Sequence, residues 1–393
     1  LVSASRQMDL GSFIEKLAHS TNSDDFLEEL QRLENGEVFQ DLGIVNFLEG
    51  DFFLWYLTQF DSRLEHALRN IIGIFHTYEP ATPKLNPSRC KDLLKIFYSS
   101  IIDGQIRHDL GEYYTPDWLA ELVLNRVGYT GQLNAKLLDP TCGTGTFIVL
   151  AIQRFIQEAN RQNLSSHEIV DRVKSQIKGF DLNPLAVISA RSNYLLAISE
   201  YLGEYGSGVE IPIYLCDCIN VPIPETVNGV PCLVYKLDTE MGERNIALPE
   251  LLVQADIIGK ILLQAENDIK IGSGSEEFIR ALNSNTAIAS HMDTTDEKIL
   301  VDFYNIIEEF EKRDWNRIWC RIVKNNFASQ TIIDVDFIVG NPPWVRWSRL
   351  PRNYRTRCKS FCDIYSLVSG RGYTGGIETD ISTVVMYSSI DNW

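Results

Sequence analysis

Apolar positions recur along this 393-residue chain at two periods, and the change between them marks its parts. From Asp61, the residues Leu64, Leu68, Ile71, Ile72 and Ile74 fall at the three-and-four spacing of one helix face, and the run stops before Tyr78-Glu-Pro-Ala-Thr-Pro83. With the sparser pattern of Phe13, Leu17, Phe26, Leu27 and Leu30 ahead of it, this predicts a helical accessory domain over 1–95. Residues 96–219 read differently. Ala135, Leu137 and Leu138 end a short buried strand, and Phe147, Ile148, Val149, Ile152, Phe155 and Ile156 then recur at helical spacing. A second strand ends at Lys178–Asp181, a helix follows over Pro184–Ile198, and an extended apolar segment returns over Val209–Cys216. Strand, loop, helix, strand, helix, strand is the order of an α/β sheet with parallel strands. Residues 220–330 are too many for one crossover and predict a mainly helical insertion. Its strongest stripe is Ile299, Leu300, Phe303, Ile306, Ile307 and Phe310, with Thr294 and Glu297 at capping-box spacing ahead of it. In 331–393 the apolar run within Ile333–Val339 predicts one more core strand.

Composition narrows the partners. The formal charge of −17 excludes a generally basic nucleic-acid coat, so contact with a polyanion has to come from a local patch. Six cations, Arg346, Arg349, Arg352, Arg355, Arg357 and Lys359, supply one, interleaved with Trp347 and Tyr354 and with no acid among them. The eight cysteines lack zinc-site spacing, which predicts reduced, buried thiols and no metal. No cationic-then-apolar leader and no apolar run of membrane-spanning length is present, so a cytoplasmic protein is expected, without a membrane partner.

Two stretches carry chemistry. In Leu137-Leu-Asp-Pro-Thr-Cys-Gly-Thr-Gly-Thr-Phe147, Gly143 and Gly145 let the backbone turn tightly where a strand runs into a helix, a geometry that brings N–H groups to a ligand. Asp139, Asp181 and Asp217 fall at three successive strand ends, the side of an α/β sheet where ligands collect. Just upstream, Thr115 and Pro116 read as the cap and first position of a helix whose buried side is Trp118, Leu119, Leu122, Val123 and Val127. Thr115 has a second reading, as a contact to a cofactor carboxylate. The other stretch, Val335-Asp-Phe-Ile-Val-Gly-Asn-Pro-Pro-Trp344, ends a strand in a rigid polar turn. There the Asn341 side-chain oxygen and the Pro342 carbonyl can accept the two hydrogens of an exocyclic amine, weakening conjugation of its lone pair. Pro343 stiffens the turn, and Trp344 offers a face for a planar base. Such a site needs no His or Cys nucleophile, since the amine attacks an aligned methyl and loses its proton to solvent.

Together these motifs resemble the S-adenosylmethionine-dependent DNA adenine-N6 methyltransferases, in particular the large restriction–modification or phage-defence enzymes. Gly111-Glu-Tyr-Tyr-Thr-Pro116, Asp139–Phe147, Gly179-Phe-Asp-Leu-Asn-Pro184, Asp217 and Asn341-Pro-Pro-Trp344 carry the likeness. The resemblance implies a Rossmann-like methyltransferase sheet. It implies S-adenosylmethionine held by Tyr114, Thr115, Asp139, Pro140, Cys142, Gly143, Gly145, Phe147, Asp181, Leu182 and Asp217, and a flipped adenine received by Asn341, Pro342, Pro343 and Trp344. Within that set Asp181 would hold the ribose and Asp217 the adenine amino group. Partners implied are double-stranded DNA through the complete enzyme and a downstream target-recognition region or separate specificity subunit. A sheet of this family has seven strands, whereas the motifs here account for four before Trp393. A C-terminally truncated chain is therefore expected, with an open or artificially paired edge beside 333–339, reduced cofactor affinity and little DNA methylation alone. Two other classes remain open: a noncatalytic DNA-binding or scaffold fragment, and a protein-glutamine or RNA N-methyltransferase.

Overall fold

The computed structural model describes residues 10–48, 54–77, 100, 104, 111, 113–205, 208–239, 242–255, 257–312, 319–332, 334–367 and 380–393. Packing divides the chain into two compact units, one made of residues 1–179, 183–213 and 336–341, the other of 180–182, 214–335 and 342–393.

In the first unit, helices α1 (Leu10–His19), α2 (Ser23–Glu34) and α3 (Ser62–His76) gather around Phe26, Leu17, Leu30 and Leu57. Asn22 caps α2 through Asp24 N–H, and Asp61 caps α3 through Arg63 and Leu64 N–H. Leu68 and Ile72 pack inward, whereas Ile71 and Ile74 of the same apolar run are exposed. The chain then joins the sheet: Ile44 bridges Val209, and the Asn46 amide exchanges two 2.8 Å hydrogen bonds with the Ile211 backbone. Arg191, only 2% exposed, donates to the carbonyls of Ile213 and Phe47, which satisfies its buried guanidinium.

Helix α4 (Asp117–Val127) differs from expectation in two ways. Pro116 itself occupies the N-cap, without a side-chain cap bond, and Thr115 lies one residue outside the helix. Its buried residues are Ala120 and Leu124, with Leu119 and Val123 half-buried, while Trp118, Leu122 and Val127 are 67%, 44% and 43% exposed. The inward face is centred between positions 119/123 and 120/124, where the small Ala120 admits close packing, so the expected stripe is rotated outward at Trp118 and Leu122.

Beyond α4 come β1 (Leu137–Asp139), α5 (Thr146–Arg161), α6 (Ser166–Gln176), β2 (Ile177–Asp181), α7 (Pro184–Ile198) and β3 (Ile213–Leu215). Two helices rather than one join β1 to β2, the second opened by a Ser165–Glu168 capping box. Later in the chain β7 (Phe337–Ile338) completes a four-stranded sheet in the order β3-β2-β1-β7, once β4 to β6 have formed a sheet of their own. Strand β1 runs parallel to both neighbours, with Leu137 opposite Ile177 on one side and Phe337 on the other. All three of its residues are buried, which is why the stretch reads as continuously apolar up to Asp139.

The second unit opens with something the helical expectation for 220–330 omits. Strands β4 (Ile223–Val227), β5 (Val230–Thr239) and β6 (Gly242–Pro249) form an antiparallel sheet in sequence order. Asn228 and Gly229, both at positive φ, make the two-residue turn between β4 and β5. Helices α8 (Ile258–Ile271), α9 (Ser275–Ser284), α10 (Thr294–Glu311) and α11 (Trp319–Ala328) follow, and their inner faces share a core with Leu233, Tyr235, Ile246 and Leu248 of the sheet. The capping box of α10 is Asp293 with Asp296, one residue earlier than the expected Thr294 and Glu297; Glu297 instead accepts from the Asn283 amide. A smaller core holds α12 (Arg352–Ile364) and α13 (Ile381–Asn392) through Cys358, Cys362, Val384 and Val385, together with Cys218, Ile219 and Val345. The seven described cysteines are buried.

Candidate functional site

The carboxyl end of β1 builds the first corner. Asp139 is 1% exposed, and its Oδ1 accepts Thr141 N–H at 3.2 Å. The loop then turns through Gly143 (φ +54°) and Gly145 (φ +87°), both in the left-handed region where a side chain costs strain. A Cβ on Gly145 would stand 3.4 Å from the Cα and Cβ of Ala190 on α7, and one on Gly143 would stand 3.8 Å from the Tyr114 ring. Thr144 is fixed from behind, its carbonyl accepting from the buried Asn193 amide at 2.8 Å. Cys142 packs its sulfur against Gly179, and Phe147 is buried in the first turn of α5. Pro140 is buried between Asp139 and this loop.

Asn341 belongs to the same unit and the same corner. Its amide nitrogen donates to the Tyr113 carbonyl at 2.8 Å, immediately before Tyr114 and the buried Thr115. The residue before it, Gly340, lies so close to the strand end that a Cβ there would come within 2.7 Å of Asp139 Oδ1. One short segment, Tyr113–Thr115, thus adjoins both the glycine loop and the amide of the Asn-Pro-Pro turn. Tyr113, Gly340 and Thr141 went unnoticed in the sequence reading; only the glycine immediately preceding Asn341 offered a signal.

The remaining candidates lie in the second unit. Asp181 is half-buried at the end of β2, its carbonyl accepting Cys216 N–H at 3.1 Å, and Leu182 beside it is 59% exposed. Asp217 is buried, and its Oδ1 accepts from Ile219 N–H at 2.8 Å and from the Tyr354 hydroxyl at 3.4 Å. Burial, and then the Asp217 carboxylate, push the thiols of Cys216 and Cys218 well up, which favours their neutral form. Pro342 and Pro343 are half-buried, while Trp344 is 55% exposed. Arg346, Arg349, Arg352 and Lys359 are exposed and Arg355 is half-buried; the Arg357 side chain lies outside the described residues. Four of the six cations, Arg352, Arg355, Arg357 and Lys359, sit on α12. Among the described residues no group of three or more His, Cys, Asp or Glu side chains could hold a metal ion.

Residues 93–204, which include Asp139, the glycine loop and Asp181, match a known family described as N-6 DNA Methylase. Among curated relatives, an adenine-specific methyltransferase, PglX, of Streptomyces coelicolor is 31% identical over 131 residues, covering 28% of this chain and 11% of that protein. The type II methyltransferase M.BstVI of Geobacillus stearothermophilus is 30% identical over 94 residues, 23% of this chain and 17% of its own. The chain therefore spans less than a fifth of the length of either relative. A solved nuclease-deletion mutant of the type ISP restriction–modification enzyme LlaGI, in complex with a DNA substrate mimic, aligns with a TM-score of 0.31 at 17% identity. The alignment covers 57% of this chain and 20% of that one.

Proposed function

We propose that this chain forms the catalytic part of an S-adenosylmethionine-dependent DNA adenine-N6 methyltransferase acting through the complete enzyme. The observation that supports it most is the tie from Asn341 to Tyr113, next to Tyr114, whose ring borders Gly143. It keeps Asn341 and the glycine loop within one compact unit.

The residues fit such a cofactor. Two glycines keep the loop free of side chains, the Thr141 hydroxyl is buried without a hydrogen-bond partner, and a carboxylate lies at the strand end. In this reading Tyr114, Thr115, Asp139, Pro140, Gly143 and Gly145 would take the methionine end, Asp181 and Leu182 the ribose side and Asp217 the adenine amino group. Phe147 and Cys142 would act from behind by packing. S-Adenosylmethionine would supply an electrophilic methyl on a sulfonium that departs as a neutral thioether. Asn341 is held by its amide nitrogen, and its oxygen, with the Pro342 carbonyl, would accept the hydrogens of the adenine N6 amine. The amine lone pair would form the new N–C bond, and its displaced proton would pass to water. Pro343 would fix the turn, and Trp344 would stack on the flipped base. The cations of 346–359 would meet DNA phosphates, partly offsetting repulsion from a chain of net charge −17.

Radiolabelled methyl transfer to duplex DNA, RNA and a glutamine peptide tests the assignment, using both this chain and the full gene product that carries it. Label on duplex adenine, lost in Asn341→Ala, is expected. Label on the peptide or on RNA alone overturns the DNA reading, and DNA binding without turnover in the full product overturns the catalytic one.

A further inference from the structure

Tyr354 stands at an unusual place. It lies on α12 between Arg352 and Arg355, yet its ring packs against the small core containing Cys358 together with Cys218 and Ile219, the two residues that follow Asp217 on the chain. Its hydroxyl reaches Asp217 Oδ1 at 3.4 Å, the same oxygen that takes Ile219 N–H. The loop after β3 is tied to this core a second time, since Ser388 of α13 donates to the Cys218 carbonyl at 3.1 Å. Asp217 is therefore not a carboxylate projecting freely from a strand end. Two donors, the Ile219 N–H and the Tyr354 hydroxyl, meet at its Oδ1.

We propose that Tyr354 is a positioning residue that orients the Asp217 carboxylate toward the amino group of a bound adenosine, an inference that rests on the methyltransferase reading above. Two further facts support it. Burial first, and the Asp217 charge next, push the Tyr354 hydroxyl up, which favours its protonated, donating form. A donor that engages Oδ1 also pins the rotation of the carboxylate about its Cβ–Cγ bond, which a main-chain N–H to the same oxygen does less completely alone. The signal was absent from motif reading because the two residues are separated by 137 positions.

The test is a binding measurement on the full gene product that carries this chain, with two probes, S-adenosylhomocysteine and its analogue with hydrogen in place of the purine 6-amino group. Wild type should prefer the amino compound. Tyr354→Phe, which keeps the ring in the core, should weaken S-adenosylhomocysteine by about 3- to 10-fold and the deamino analogue hardly at all, narrowing the preference. Because both probes are read on one sample, loss of folded protein does not move their ratio. A wild-type preference retained in full by Tyr354→Phe overturns the positioning role alone. A wild-type full gene product that binds neither probe overturns the methyltransferase reading and this inference with it.

Discussion

The glycine-loop corner and the core of residues 220–330 are built on opposite terms. The insertion buries Phe278, Phe303, Phe310 and Phe327 among aliphatic neighbours from a sheet and four helices, so apolar contact dominates its interior even though Asp268, Asn325 and Asn326 are buried there too. The corner around Asp139 buries a carboxylate and an unpartnered Thr141 hydroxyl beside two glycines in left-handed conformations. None of these favours folding by itself. The corner sets its polar groups on a short strand end and loop, whereas those buried in 220–330 accompany a large apolar core.

Substitutions can break that contrast. Truncating Phe303→Ala should cost about 3–5 kcal/mol in urea unfolding, the loss expected for a fully buried ring. Asn341→Ala should do the reverse, lowering methyl transfer by the full gene product about 10²- to 10³-fold while leaving the unfolding midpoint in place. If Asn341→Ala lost as much stability as Phe303→Ala, the contrast would fail. Gly340→Ala should cost about 1–3 kcal/mol and weaken cofactor binding together, because its methyl would press on Asp139; equal cofactor affinity would place that carboxylate outside the ligand's reach.

Smaller effects sharpen the picture. Burial pushes the Glu266 carboxyl up, but Arg321 and Lys270 outweigh it and hold it below its usual range. A depressed carboxyl stabilises the fold above its unfolded value near 4.5 and loses that contribution as pH falls through the folded one. Glu266→Gln should therefore lower stability at pH 7 and flatten the acid limb of the unfolding profile; an unaltered limb refutes the linkage. The smallest expected change is at Lys359, exposed on α12. Its replacement by Ala should reduce the slope of log DNA affinity against log salt by about one, without altering any preference for sequence.

What could be read from the sequence was what is local and periodic. The α5 stripe, the three acidic strand ends and the α7 start at Asn183-Pro184 all depend on neighbours a few residues away. The antiparallel sheet was missed although Asn228-Gly229 is a strong turn dipeptide, because Ile223–Glu225 and their neighbours on β4 are exposed and do not alternate cleanly. The facing of α4 was misjudged because a helix can turn a Trp outward when an alanine lets its partner approach. The ties that shape the site were illegible for a different reason: Asn341 meets Tyr113 across 228 positions, and no local pattern encodes such a pairing.

That tie has an evolutionary corollary. Asn341 is gripped by a peptide oxygen, so the grip needs a particular path of the main chain and no particular side chain at 113, which is itself 53% exposed. A substitution at 113 consequently leaves the peptide oxygen in place, and with it the aim of the amide.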